Sequence, residues 1–365
     1  MKVVAVFGLV NFVGAARVLF FPLVDDPSHA VSIYPIAKDL ASHGHDVSVL
    51  HVKAKRYMEY DIAPASAGVK ETYLTMPQNE HEYVSRLTPA HLWEKLKFGS
   101  PIVLYWTYCL TIACKTMMED ENFRRQFQSY FFENKFDVLI FDNPMSQCGY
   151  YAITEAKKTS NNVVVISLSI FNLLDRSFSD RGLQINMAIH PSALHRFDET
   201  FDSRKFKQRF DAFYNHINQY FGEICADFLL HAVLGVSRFD IVSPSQVIKQ
   251  CDLFVQFLSP LLEFPKPMSR DIFEMDVPRL LHALHLPEKL LQFVEDATSN
   301  GTIVFATGHS IFWDEAPVIK TETPRLQKDS NLRPVWTRQN YRQKLFLNPS
   351  LEFSTIHLIK IAPRR

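Results

Sequence analysis

The chain has 365 residues, 47% of them hydrophobic, enough to bury one large domain or two. Lysine plus arginine and aspartate plus glutamate are balanced at 39 each, so the charge gives no reason to expect nucleic acid or another polyanion as a partner. The 30 phenylalanines fit a large apolar core or a lipophilic ligand.

At the N-terminus Lys2 precedes an apolar run, Val3–Val13, interrupted by Gly8 and Asn11, and Gly14-Ala15-Ala16 stands before Arg17. Two readings fit: a secretory signal with a small-residue cleavage site, or a buried first strand near residues 3–10. The signal is preferred and assigned to 1–16, because the next segment already supplies a first strand. Val18–Leu23 lacks polar alternation, as expected of a strand covered on both faces of a parallel sheet. Ser28 is placed to cap the helix that follows. Ile33, Ile36, Ala37 and Leu40 then recur at helical spacing, and Gly44 supplies a left-handed stop. Val47, Val49 and His51 alternate as the second strand. His29 falls where the first strand hands over to the helix, at the carboxyl edge of the sheet where ligands of open α/β sheets bind.

Pro89–Glu133 reads as helical and apolar enough to pack on a sheet. Its most apolar uncharged run, about Pro101–Cys114, is shorter than the roughly 18–20 residues that cross a bilayer, so no membrane span is expected. Phe136–Phe141 is a strand leading into Asp142, Gln147–Lys157 a helix and Val163–Leu168 a strand. This alternation predicts a doubly wound α/β domain. A longer helical region covers Phe197–Ala232, where charges interleaved with aromatics are read as a solvated face. Cys251–Phe257 reads as another buried strand, and Phe264-Pro265-Lys266-Pro267 as a stiff extended piece. Leu286–Ala297 is read as a helix, and Thr302–Ala306 as a buried strand with Gly308 just beyond it. Thr321–Asn340 is polar and basic without periodicity, and only Ser354–Ile361 after it is strand-like, so 321–365 is expected to be a poorly ordered tail.

Asn300-Gly301-Thr302 is an open glycosylation sequon, whereas Asn348 is blocked by Pro349. The five cysteines, Cys109, Cys114, Cys148, Cys225 and Cys251, show no spacing of a zinc site or a disulfide framework; they are expected to be small buried hydrophobes, and no metal site is expected.

His29 and Asp142 lie at the same sheet edge, so they can meet across a large sequence separation. Two readings are open on spacing alone. A His–Asp pair activates a hydroxyl: the imidazole takes the proton, and the carboxylate fixes its tautomer and stabilises the imidazolium. The helix N-terminus disfavours the charged imidazole and the carboxylate favours it, which together hold such a base near neutrality. The other reading is a helix-capping aspartate and a satisfied turn histidine. Ser167 and Ser169 end a strand but sit in no nucleophile elbow. The chain has no G-x-S-x-G, Walker loop or G-x-G-x-x-G, which disfavours a serine hydrolase, an NTPase and a dinucleotide enzyme.

The segment FFPLVDDPSHAVSIYPIAKDLASHGHDVSVL resembles the opening of UDP-glycosyltransferases of the UDP-glucuronosyltransferase family: a signal, a strand, a Ser-His pair, a helix and a G-H-x-V strand. FDVLIFDNPMSQCG resembles the family's F-D-V-x-x-x-D segment. The stretch from Phe257 to Pro267 resembles the end of the acceptor domain, and GTIVFATGHSIFWDEAP the first strand and turn of the donor domain, most like invertebrate members. The resemblance implies an α/β fold of GT-B type, with an N-terminal Rossmann-like acceptor domain on a parallel sheet at 17–267. It implies a linker at 268–300, the first donor strand and turn at 301–320, and an unrelated tail at 321–365, the donor domain being largely missing. It further implies inverting transfer of a hexosyl group from a UDP-sugar, a co-substrate, to the hydroxyl of a small lipophilic acceptor, with no cofactor and no metal. His29 would be the general base, Asp142 its orienting partner, and Gly308 and Ser310 near the donor phosphates.

His309 departs from the small or hydroxylated residue usual in that turn. The donor signature, Trp-x-Pro-Gln followed by His-Gly-Gly and an Asp-Gln pair, does not occur in these 365 residues. The expectation is therefore a C-terminally truncated member, inactive alone. The alternative is a non-catalytic acceptor-binding or regulatory partner of a full-length UDP-glycosyltransferase. Both place it in the secretory pathway, in the endoplasmic reticulum lumen or secreted.

Overall fold

The computed structural model describes residues 14–22, 27–53, 68–77, 111–142, 148–169, 178–179, 181–191, 201–232, 249–257, 266–275, 288, 291–292, 295, 302–306 and 356–360. The chain forms two compact units: one carries a seven-stranded sheet and runs to Pro278, the other carries a two-stranded sheet and contains Arg279–Arg365.

β1 is Arg17–Phe21, and its last four residues are all buried, as a strand covered on both faces requires. α1, Pro27–Ser42, follows it. The helix opens on Pro27, whose fixed φ and missing N–H suit the first helical position, so Ser28 lies inside the first turn rather than capping it. Gly44 ends α1 as expected. Its φ is 88°, its N–H donates to Ala41 O, and the His45 N–H donates back to Leu40 O, the paired bonds of a Schellman stop. β2, Asp46–Lys53, then runs parallel to β1, with Val18 opposite Val47 and Phe20 opposite Val49. Ala16 belongs to this arrangement: it is buried in the core, donates to His45 Nδ1 and accepts from Asp46 N. The folded sheet therefore begins one residue inside the segment expected to be a signal; the remainder of that segment, through residue 13, lies outside the described residues.

β3, Val69–Thr75, pairs parallel with β2 and is an addition to the elements expected from the sequence. Residues 111–119 are helical and lead into α2, Glu121–Asn134. Asp120 caps α2 by accepting from the Phe123 N–H at 2.7 Å, and the helix buries Phe123, Phe127 and Phe131 at four-residue intervals. We expect Asp120→Ala to lower stability by about 1 kcal/mol in a urea titration, the ordinary value of a lost cap.

β4 is Val138–Asp142, α3 Gly149–Thr159 and β5 Val164–Ser169. α4, Phe206–Ala232, follows, with β6 at Leu253–Phe257 and β7 at Ile272–Met275. The strand order is β3-β2-β1-β4-β5-β6-β7 and every pairing is parallel, so the expected doubly wound α/β architecture is present. β7 falls at the start of the expected 268–300 linker; the sheet extends past Pro267. α4 shows the expected solvated face, with Lys207 exposed beside Phe206, Phe210, Phe221 and Phe228, while its polar His216 and Gln219 are buried.

One face of the sheet packs against α1. Val18, Phe20, Val47, Val49, Val138, Ile140, Ile166, Leu168 and Val255 meet Ile33, Ile36, Ala37 and Leu40 there. The intervening strand residues face the other way, where Phe21 meets Phe127 of α2 edge-on at 6.0 Å between ring centres.

In the second unit β8, Thr302–Ala306, has the limits expected of the strand there. It pairs antiparallel with β9, Ile356–Lys360. β9 falls within the strand-like run expected at Ser354–Ile361. The helix expected at 286–297 and the remaining tail lie almost wholly outside the described residues. No helix among the described residues is long and apolar enough to cross a membrane.

Candidate active site

The strand order reverses direction about β1: β2 and β3 lie to one side, β4 to β7 to the other. Crevices at the carboxyl ends of strands beside such a switch point are where open α/β sheets bind ligands. β1 leaves the sheet at Phe21, and α1 brings His29 back in its first turn. β4 pairs with β1 so that Phe141 lies opposite Phe21, which puts Asp142 one residue beyond the end of β1. Asp142 shares its strand face with Val138 and Ile140, the face covered by α1. Register and face together deliver the carboxylate to the start of that helix.

The His29 Nδ1–H donates to Asp142 Oδ2. The Asp142 side chain is 1% exposed and that of His29 is 13% exposed, so the carboxylate is sealed in the protein while the imidazole reaches the surface. A buried carboxylate needs such a partner, since an isolated charge in the interior is costly. The structure thus brings together the two residues that spacing alone left open between a dyad and two separate structural roles. The predicted phosphate-region residues Gly308 and Ser310, with His309 between them, lie outside the described residues, as does Asn300.

On the β2 side of β1, Tyr34 of α1 and His51 of β2 are hydrogen-bonded at 3.0 Å between Oη and Nε2, and the His51 ring stacks on Tyr73 of β3 at 4.7 Å. Burial, then the nearby Glu71, push the Tyr34 phenol well above its ordinary range, so it stays protonated and available as a donor. This contact pins α1 to the sheet a little over one turn from His29. On the far half of the sheet, Gln256 donates to Glu274 at 3.0 Å across β6 and β7. Among the described residues no group of histidine, cysteine, aspartate and glutamate is arranged to hold a metal ion.

The cysteine expectation is corrected. Cys114 and Cys148 form a disulfide with their Cα atoms 5.3 Å apart. Their separation of 34 residues carries no motif; they meet because the helix at 111–119 and the start of α3 come together in the folded unit. Cys251 conforms to expectation: it is buried and unbridged, and burial pushes its thiol up to about 12.

Solved structures to which parts of this chain are similar include the glycosyltransferase of kitacinnamycin (10% identity, 75% of this chain and 56% of that one, TM-score 0.40). The glycosyltransferase SnogD from Streptomyces nogalater is another (12% identity, 75% and 54%, TM-score 0.37), as is the calicheamicin glycosyltransferase CalG4 (11% identity, 72% and 53%, TM-score 0.34). The chain spans just over half the length of these structures. No curated protein sequence matches it. The family model of UDP-glucoronosyl and UDP-glucosyl transferases matches residues 16–315, from the residue before β1 to beyond β8, and the chain belongs to that family.

Proposed function

We propose that the seven-stranded unit is the acceptor side of a UDP-dependent hexosyltransferase, glucuronosyltransferase-like, acting on a small lipophilic hydroxyl compound. The observation that carries this reading is the His29–Asp142 pair at the switch point of the sheet. With Nδ1–H committed to Asp142, Nε2 presents the lone pair of the imidazole. It takes the acceptor's hydroxyl proton as the oxygen forms its bond to the anomeric carbon of the sugar. The bond from that carbon to the UDP oxygen breaks with its electron pair leaving on UDP, and attack opposite the leaving group inverts the centre. Asp142 keeps the ring in the required tautomer and stabilises the imidazolium that results.

Departure of UDP also needs its developing charge neutralised, commonly the largest electrostatic contribution in such a site. These 365 residues contain neither the Trp-x-Pro-Gln nor the His-Gly-Gly stretch of the family's donor signature. The reading is therefore that this polypeptide by itself binds acceptor and transfers negligibly. The Cys114–Cys148 disulfide supports an oxidising location such as the endoplasmic reticulum lumen.

The test is a pair of titrations of the 365-residue protein, one with 4-nitrophenol as a lipophilic phenol and one with UDP-glucose or UDP-glucuronate, followed by a transfer assay with both. Saturable phenol binding without measurable transfer is the expected result. Robust transfer would overturn the predicted inactivity, and absence of phenol binding would overturn the acceptor role.

A further inference from the structure

Cys148 stands at the start of α3 with its backbone already helical, at φ −70° and ψ −22°, and its side chain is joined to Cys114 rather than capping the helix. The loop closed by the disulfide contains α2, all of β4 and therefore Asp142. Cys114 lies in the helix at 111–119, where Ala113, Met117 and Met118 are also buried. That helix leads directly into α2, and α2 packs Phe127 on Phe21, the last residue of β1. The tether thus joins Cys148, at the start of α3, to the same helices that brace the end of β1. Both partners of the His29–Asp142 bond are held with respect to one packed body.

We propose that the Cys114–Cys148 disulfide is a positioning element for the His29–Asp142 pair, fixing the start of α3 against the helices that pack on β1 and so the aim of the Asp142 carboxylate. The task of the pair rests on the functional reading above, but its alignment by the disulfide is measurable without any substrate.

The experiment compares the wild-type protein with a Cys114→Ala/Cys148→Ser variant. Serine and alanine are close to cysteine in size, so both positions keep nearly the same volume while the tether is removed. An imidazole Nδ1–H held by a buried carboxylate gives a far-downfield proton resonance, assigned here by its absence from His29→Ala. In the wild type this resonance is expected to be present. In the double variant its exchange with water is expected to quicken about tenfold or more, bleaching the signal, while the ring-current-shifted methyl resonances of the core persist. A downfield signal of unchanged intensity in the variant would overturn the proposal. Loss of the core resonances together with the downfield signal would also overturn it, by showing a general staple of the fold. Neither result touches the functional reading. Absence of the signal from the wild type would overturn both.

Discussion

His29→Ala is expected to abolish the phenolate absorbance of 4-nitrophenol bound to the protein, measured where the free phenol is protonated. Wherever transfer is measured, the same change is expected to cut it by about 10²–10⁴-fold, the contribution of a positioned general base. The reason is geometric: His29 is the member of the pair whose ring reaches the surface, while Asp142 is sealed behind it. Asp142→Asn is expected to act in the same direction with the fold retained. The asparagine carboxamide keeps the shape of the carboxylate but supplies no charge to stabilise an imidazolium and no bias toward the Nδ1–H tautomer. Phenol affinity distinguishes the two: alanine removes a contact with the hydroxyl, whereas asparagine leaves the ring in place. An unchanged phenolate band in His29→Ala would remove His29 from the reaction.

Phe20→Ala is expected to be the most destabilising single truncation in the sheet, at about 3–5 kcal/mol. Phe20 is fully buried in β1, opposite Val49 on one side and Ile140 on the other, and it belongs to the same core cluster as Ile33 and Ile36 of α1. Folded domains are stable by only about 5–15 kcal/mol, so a loss of this size lowers the urea midpoint by a large fraction. Phe132→Ala, on the solvent side of α2 and 70% exposed, is the matched control and is expected to change stability by no more than about 0.5 kcal/mol. Equal midpoints for the two variants would contradict the central place of β1.

Much of this arrangement is legible in the amino-acid sequence. The β1–α1–β2 unit declares itself through a continuous apolar strand, a helical repeat and a glycine at the stop, because each answers a strong local requirement. β4 and β5 are legible for the same reason. β3 and β7 escape such a reading because edge strands are covered on fewer sides and need less apolar sequence: β3 carries Lys70 and Glu71, and β7 is four residues long with Glu274 within it. The ends of two strands supply both His29 and Asp142 as candidates. Their meeting depends on β4 being the neighbour of β1, a fact of strand order that no local pattern encodes. The disulfide is hidden for a related reason, since residues 114 and 148 are joined by helix packing rather than by a spacing rule. The partly buried face of α4 is not legible because periodicity identifies two faces of a helix but does not say which one the protein covers.

The placement of the two site residues on separate halves of the sheet has a consequence for how the protein is made. His29 and Asp142 are 113 residues apart in the chain. At about 5–20 residues per second, a ribosome emits the histidine roughly 6–23 s before its aspartate. During that interval β1 can find β2, its neighbour across a single helix, but the other flank of β1 has no strand to pair with until β4 emerges. The pair thus becomes available only when the first strand of the second half emerges, and a nascent chain stalled before residue 138 would carry β1 as an open edge.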